Sequence, residues 1–113
     1  MAADLDRTLA ALADPTRRGV VDLLRRAPRR ASEIAEALDM TRPAMSRHLR
    51  VLRKAGLVRE DAQDDDARVR VYRLEREPFA DLRGWLDEVE AFWADQLQAF
   101  KAHAERRARG RKA

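Results

Sequence analysis

Residues 41–58 read Thr41-Arg42-Pro43-Ala44-Met45-Ser46-Arg47-His48-Leu49-Arg50-Val51-Leu52-Arg53-Lys54-Ala55-Gly56-Leu57-Val58. Their order dictates a capped helix followed by a change of period. Thr41 supplies a side-chain oxygen for the free amide groups of a first turn, and Pro43 sits where a missing N–H costs little. Gly56 tolerates the left-handed backbone that ends a helix. At 100° per residue Met45, Leu49 and Leu52 cluster on one side, while Pro43, Arg47, Arg50 and Lys54 cluster on the other, with Ser46 and Arg53 at the flank. One side packs and the other is cationic.

Upstream, Ile34, Ala35 and Leu38 have helical spacing behind Ser32, which reads as the N-cap of a short helix. Asp39-Met40-Thr41 then forms a three-residue turn, with Asp39 among the few non-glycine residues suited to a left-handed conformation. Asp14-Pro15 marks an earlier helix start, and that helix carries Val20, Val21, Leu23 and Leu24 and ends near Ala27-Pro28. Before it, Leu5, Leu9 and Leu12 recur at i, i+4 and i+7. Downstream, Leu57-Val58 opens a strand, Gln63-Asp64-Asp65 forms a turn, and Arg68 to Leu74 alternates as a second strand. Glu77-Pro78 then starts a last helix that can run to about Arg107. These elements predict a mainly α fold with a small β-hairpin wing: four helices, a hairpin and a fifth helix, in one domain over residues 1–107. Residues 108–113 are expected to be a basic, disordered tail.

Composition excludes several function classes. The 113 residues contain no cysteine, which removes disulfides, thiolate metal sites and cysteine nucleophiles, and only two histidines. There is no phosphate-cradling glycine loop and no catalytic constellation, so neither an enzyme nor a bound cofactor is expected. With no long apolar run and no signal-like N-terminus, neither a membrane partner nor export is expected, and the expected location is the cytoplasm. Lys and Arg total 24 against 20 acids, a net charge of +4, and 21 of those cations are arginine. Their distribution is uneven. Six cations and no acid lie between Thr41 and Arg59, whereas the next seven residues hold five acids and no cation. Arginine-rich, acid-free stretches suit phosphate and guanine recognition.

Helix, short turn, capped cationic helix and hairpin, in that order, define a winged helix-turn-helix. Thr41, Arg42, Pro43, Ser46 and Arg47 fall nearest the base edges of a major groove, and Arg50, Arg53 and Lys54 lie farther along, toward phosphates. A solvated basic face is the bland alternative, and the cap, turn and terminator argue against it. His48 lies at the edge of the packing face, where it either holds structure or positions a phosphate. Arg68 and Arg70 either reach DNA from the wing or neutralise its aspartates.

The segments Leu12-Ala13-Asp14-Pro15-Thr16-Arg17-Arg18, Ser32-Glu33-Ile34-Ala35 and Ser46 to Val58 resemble the ArsR/SmtB family of bacterial winged-helix repressors. The resemblance extends over about residues 5–105. It implies a homodimer, joined through the first and last helices, that binds an imperfect inverted repeat in operator DNA, blocks transcription and often represses its own gene. The chain departs from the metal-sensing members. Arg30-Ala31-Ser32 stands where thiolate members place Cys-x-Cys, and the last helix offers only His103 for an imidazole site, so metal sensing is not expected. The wing departs too, since Asp64, Asp65 and Asp66 replace the glycines and basic residues common at family wing tips.

The last helix carries a heptad-like seam through Phe79, Leu82, Leu86, Val89, Trp93, Gln96, Phe100 and His103, with a second stripe through Trp85, Phe92 and Ala99. One stripe docks a helix on its own domain; the second suits another chain. Leu5, Leu9, Leu82, Trp85, Leu86, Val89, Phe92, Trp93 and Phe100 are therefore the expected dimer contacts. The aromatic residues among them are either core or the lining of a pocket for an effector. Release from DNA has three open sources: an unidentified small molecule between the long helices, a protein partner, or no signal beyond changing concentration. A nonspecific DNA-coating protein and a module that only pairs helices are the competing functions, and neither requires a capped recognition helix.

Overall fold

The computed structural model describes the backbone of residues 2–112 and the side chains of residues 4–110. Its order is α1 (Ala2–Leu12), α2 (Pro15–Leu24), α3 (Ala31–Ala37), α4 (Arg42–Lys54), β1 (Val58–Gln63), β2 (Asp66–Leu74) and α5 (Arg76–Lys112). By packing, the chain divides into one unit over residues 1–81 and a second over residues 82–113.

Helices α2 and α4 begin as their sequence dictates, and α3 does not. The Asp14 carboxylate accepts from the backbone N–H groups of Thr16 and Arg17 at 2.8 and 3.1 Å, with Pro15 in the first turn of α2. Thr41 Oγ1 accepts from the Ala44 N–H at 3.3 Å at the start of α4. The N-cap of α3 is Arg30 rather than Ser32, because Glu33 reaches back to accept from the Arg30 N–H at 2.9 Å and so secures a donor two residues earlier. Helix α2 also stops sooner than Ala27, at Leu24, and residues 25–26 turn before Pro28 is reached.

The turn between α3 and α4 depends on one left-handed residue. Asp39 has φ of 53°, which lets the Met40 N–H donate to the Ala35 carbonyl at 2.9 Å and redirects the chain. Gly56 does the same at the other end of α4, with φ of 77°, and the Leu57 N–H donates to the Leu52 carbonyl at 3.0 Å.

Behind α4 lies the core. Met45, Leu49 and Leu52 are buried against Val20 and Leu24 of α2, Ile34 and Ala35 of α3, and Leu57 and Val58 at the mouth of the hairpin. The hairpin is antiparallel, pairing Val58 with Leu74, Glu60 with Tyr72 and Ala62 with Arg70, with an irregularity between Ala62 and Gln63. Its second strand begins at Asp66, two residues before the alternating stretch. A backbone bridge between Arg29 and Tyr72, with N···O distances of 2.8 and 3.3 Å, fastens the wing to the loop before α3.

The second unit is the continuation of α5. The helix does not stop near Arg107 but continues to Lys112. Alanine and arginine are strong helix formers, no proline interrupts them, and cations at a helix C-terminus interact favourably with its carbonyls. A single glycine, Gly110, costs only about 1 kcal/mol and does not break such a run. Ala113 and the side chains of residues 111–113, part of the expected tail, lie outside the described residues. Among the described residues no helix is long and apolar enough to cross a membrane.

Candidate nucleic-acid interface

Helix α4 spans 13 residues, roughly 20 Å at 1.5 Å per residue, and it has two distinct sides. Met45, Leu49 and Leu52 are 1% exposed or less. Thr41, Arg42, Pro43, Ser46, Arg47, Arg50, Arg53 and Lys54 are all exposed, and His48 is half-buried between the two sides. Of the residues expected to meet DNA from this helix, all but His48 are exposed. Among the described residues, Arg42, Arg47, Arg50 and Lys54 form no ion pair, so their charge is uncommitted.

The wing is electrostatically different. Glu60 on β1 takes both Arg53 of α4, at 3.2 Å, and Arg70 of β2, at 3.5 Å. Arg68 is bound to Asp66 at 3.2 Å, and its side chain holds the Asp66 carboxyl below the usual range. Arg73 reaches Asp64 at 3.0 Å and Asp61 at 3.7 Å. The Gln63 amide donates to Asp65 at 2.6 Å and lowers its carboxyl. Arg68 thus rests on a wing aspartate, as the neutralising role requires, whereas Arg70 rests on Glu60 and on none of Asp64, Asp65 and Asp66. The pairs are exposed and worth little in stability, but each offsets charge that phosphate would otherwise meet.

A further residue belongs to this region, and periodicity gave no sign of it. Arg17 of α2 donates through Nε to the Ala11 carbonyl at 2.6 Å and through Nη2 to the Ala10 carbonyl at 3.2 Å, while Nη1 stands 3.4 Å from Nδ1 of His48. A basic residue on an amphipathic helix reads as solvated surface. Its neighbour Arg18, which donates to the Leu12 carbonyl at 2.7 Å, gives the same impression. Only the pairing of α2 with α4 distinguishes them.

The residues expected to join two chains are distributed over both units. Leu5, Leu82 and Val89 are half-buried, whereas Leu9, Trp85, Leu86, Phe92, Trp93 and Phe100 are exposed in the single chain. Phe92 and Trp93 meet edge to face with ring centroids 5.5 Å apart. Leu97, 67% exposed, extends the same band and was absent from the seam because Gln96 took its place in the three-and-four count. Among the described residues no group of three or more His, Asp or Glu side chains could hold a metal ion.

A turn-linked pair of helices, an exposed cationic second helix and a two-stranded wing define a winged helix-turn-helix protein. The comparisons with known proteins agree. Residues 14–60 match the family described as bacterial regulatory protein, arsR family. The HTH-type transcriptional regulator Rv2034 of Mycobacterium tuberculosis is 40% identical over 95 residues, covering 84% of this chain and 83% of that protein. The transcriptional repressor SdpR of Bacillus subtilis is 35% identical over 54 residues, covering 48% and 60%. Among solved structures, an ArsR-like transcriptional regulator from Rhodococcus superposes with a TM-score of 0.74 at 32% identity, covering 88% and 92%. The homodimeric winged helix-turn-helix DNA-binding domain of Mb0332 from Mycobacterium bovis gives 0.59 at 25%, covering 85% and 83%. The chain belongs to the ArsR family of bacterial transcriptional regulators.

Proposed function

We propose that this regulator is a sequence-specific DNA-binding repressor. In this reading it binds an imperfect inverted repeat as a homodimer, acts in the cytoplasm and represses its own gene. The observation that carries it is the outward face of α4, where Arg42, Arg47, Arg50 and Lys54 stand uncommitted beside Ser46 on a helix capped at both ends. Arginine at the N-terminal half of such a helix reaches guanine edges bidentately, and cations farther along meet phosphates. The homodimeric assembly of the Mb0332 domain supports dimerisation, since the exposed aromatic band of α5 here is what such an assembly would bury. SdpR, a repressor by name, supports the direction of regulation.

In this reading the regulator is not a metal sensor, since the chain has no cysteine and only two histidines to supply soft or imidazole ligands. Release from DNA is assigned instead to a small organic molecule or a protein partner, for which the aromatic residues of α5 are the candidate contacts. Selecting bound sequences from a random duplex pool tests the whole reading. The expected product is an inverted repeat with half-sites centred about 10–10.5 bp apart or a multiple of it. A pool that shows no enrichment, with equal affinity for any duplex at one salt concentration, would instead identify a nonspecific coating protein.

A further inference from the structure

The contact between Arg17 and His48 has a consequence for recognition. A guanidinium only donates and remains charged, so the ring nitrogen facing it must accept. Nδ1 of His48 is that nitrogen, at 3.4 Å from Arg17 Nη1. An imidazole that accepts at Nδ1 is neutral and carries its proton on Nε2. Among the described residues nothing accepts from that Nε2–H, and His48 is half-buried at the edge of the packing side of α4, where exposed Val51 separates it from the cationic face. Arg17 is itself held rigidly. Two of its nitrogens are bonded to the carbonyls of Ala10 and Ala11 at the end of α1, and its backbone N–H is bonded to the Asp14 cap.

We propose that Arg17 is a positioning residue for DNA binding: it fixes His48 as the Nε2–H tautomer and aims that proton outward as a donor to a backbone phosphate. The guanidinium thereby joins three elements, the end of α1, the start of α2 and the middle of the recognition helix. A neutral donor in this place adds a directed hydrogen bond without adding charge, so it orients the helix while contributing nothing to the salt dependence. The inference rests on the reading of α4 as the DNA-contacting helix, but its first test needs no DNA.

That test is a nitrogen-15 spectrum of the histidine side chains at about pH 8, where an ordinary imidazole is neutral. His48 is expected to show a protonated Nε2 and a bare Nδ1 in the parent, and a mixture of tautomers in Arg17→Met. A protonated Nδ1 in the parent overturns the proposal outright, whatever the protein binds. The second test measures affinity for a duplex recovered from the random pool, or for an arbitrary duplex if no sequence is enriched. His48→Ala and Arg17→Met are each expected to weaken binding about tenfold, equivalent to about 1.4 kcal/mol. His48→Gln, which can still accept from Arg17 and donate outward, is expected to stay within about threefold of the parent. The double variant Arg17→Met/His48→Ala is expected to bind no worse than either single one, since the two act through one bond. Additive losses, or a Gln variant as weak as the Ala variant, would show that the two residues act independently. Should Arg17→Met not fold, the parent spectrum and the Gln–Ala comparison still decide the matter.

Discussion

Arg53 of the recognition helix and Glu60 of the first wing strand meet at 3.2 Å, and Glu60 also takes Arg70 at 3.5 Å. One carboxylate thus occupies two of the cations expected to face DNA. Tyr72, across the strand from Glu60, lies in the same cluster, where burial raises its phenol pKa above the ordinary value. The wing of this protein is a set of paired charges, whereas Arg42, Arg47, Arg50 and Lys54 of α4 form no ion pair among the described residues. Removing the shared carboxylate should release both arginines. Glu60→Gln is expected to raise affinity for any duplex and to steepen the dependence of log K on log salt by about one to two, one unit for each phosphate newly met. A salt titration with random duplex measures this. An unchanged slope would mean that neither arginine reaches a phosphate.

Arg47 and Lys54 are both exposed and uncommitted on α4, but Lys54 is its last residue and Arg47 lies about two turns nearer its N-terminus. Arg47→Ala is expected to cost about 1–3 kcal/mol of affinity for the selected sequence and to relax one base position. Lys54→Ala should weaken all sequences alike and reduce the salt slope by about one. Gel-shift titrations on selected and scrambled duplexes separate the two outcomes. Equal selectivity in Arg47→Ala would remove it from base recognition.

Much of this face was legible because each cue in residues 39–58 acts locally. Thr41, Asp39, Gly56 and the three-and-four spacing of Met45, Leu49 and Leu52 state their geometry without reference to the rest of the chain. The N-cap of α3 falls at Arg30 and not at Ser32 because the Glu33 carboxylate reaches back to the Arg30 N–H, whereas a cap at Ser32 would shorten the helix. The partners of Arg17 and Arg53 were not legible. An arginine's sequence position says that it is charged, whereas its partner depends on how α2, α4 and the wing come together. The end of α5 was underestimated for a related reason. Polarity argues against burial, but it does not argue against helix.

Gly56 closes α4 with φ of 77°, and a Cβ built there would meet nothing within 4 Å. The cost of Gly56→Ala is therefore conformational and not steric, about 1–2 kcal/mol for a side chain forced into the left-handed region. Asp39→Gly, at the other left-handed position, should be neutral or slightly stabilising. Denaturant midpoints of the two variants are expected to move apart in these directions. A Gly56→Ala variant as stable as the parent would mean that the end of α4 can relax.

The Asp14 carboxylate is held below the ordinary range, chiefly by the Arg17 N–H and also by that of Thr16. A group whose pKa falls on folding contributes stability that is fully present above its unfolded pKa, about 3.9, and that is lost as pH falls through the folded value. Asp14→Asn keeps a capping oxygen but removes the charge. The variant is expected to melt below the parent at neutral pH, and the gap should close as the pH is lowered past the unfolded carboxylate value. A gap that stays constant down to about pH 2 would show that the charge on Asp14 contributes nothing to folding. Glu33, lowered by the Arg30 N–H, titrates in both proteins and does not affect the comparison.

Trp93, Leu97 and Phe100 are 60%, 67% and 71% exposed, all within the second unit, and at 100° per residue they fall within about 60° of one another on α5. Burying such side chains yields about 1.5–3 kcal/mol each, enough that three of them per chain can hold two copies together. Trp93→Glu places a charge in the middle of that band, and burying it without a partner is strongly unfavourable. The variant is expected to sediment as a monomer at micromolar concentration while retaining the helical content of residues 1–81. Its affinity for an inverted repeat should fall by about 10²–10⁴, because two half-sites would no longer be engaged as one. Its affinity for a single half-site should be unchanged. A Trp93→Glu protein that remains dimeric and binds the repeat normally would move the interface off α5 and leave the exposed band to some other partner.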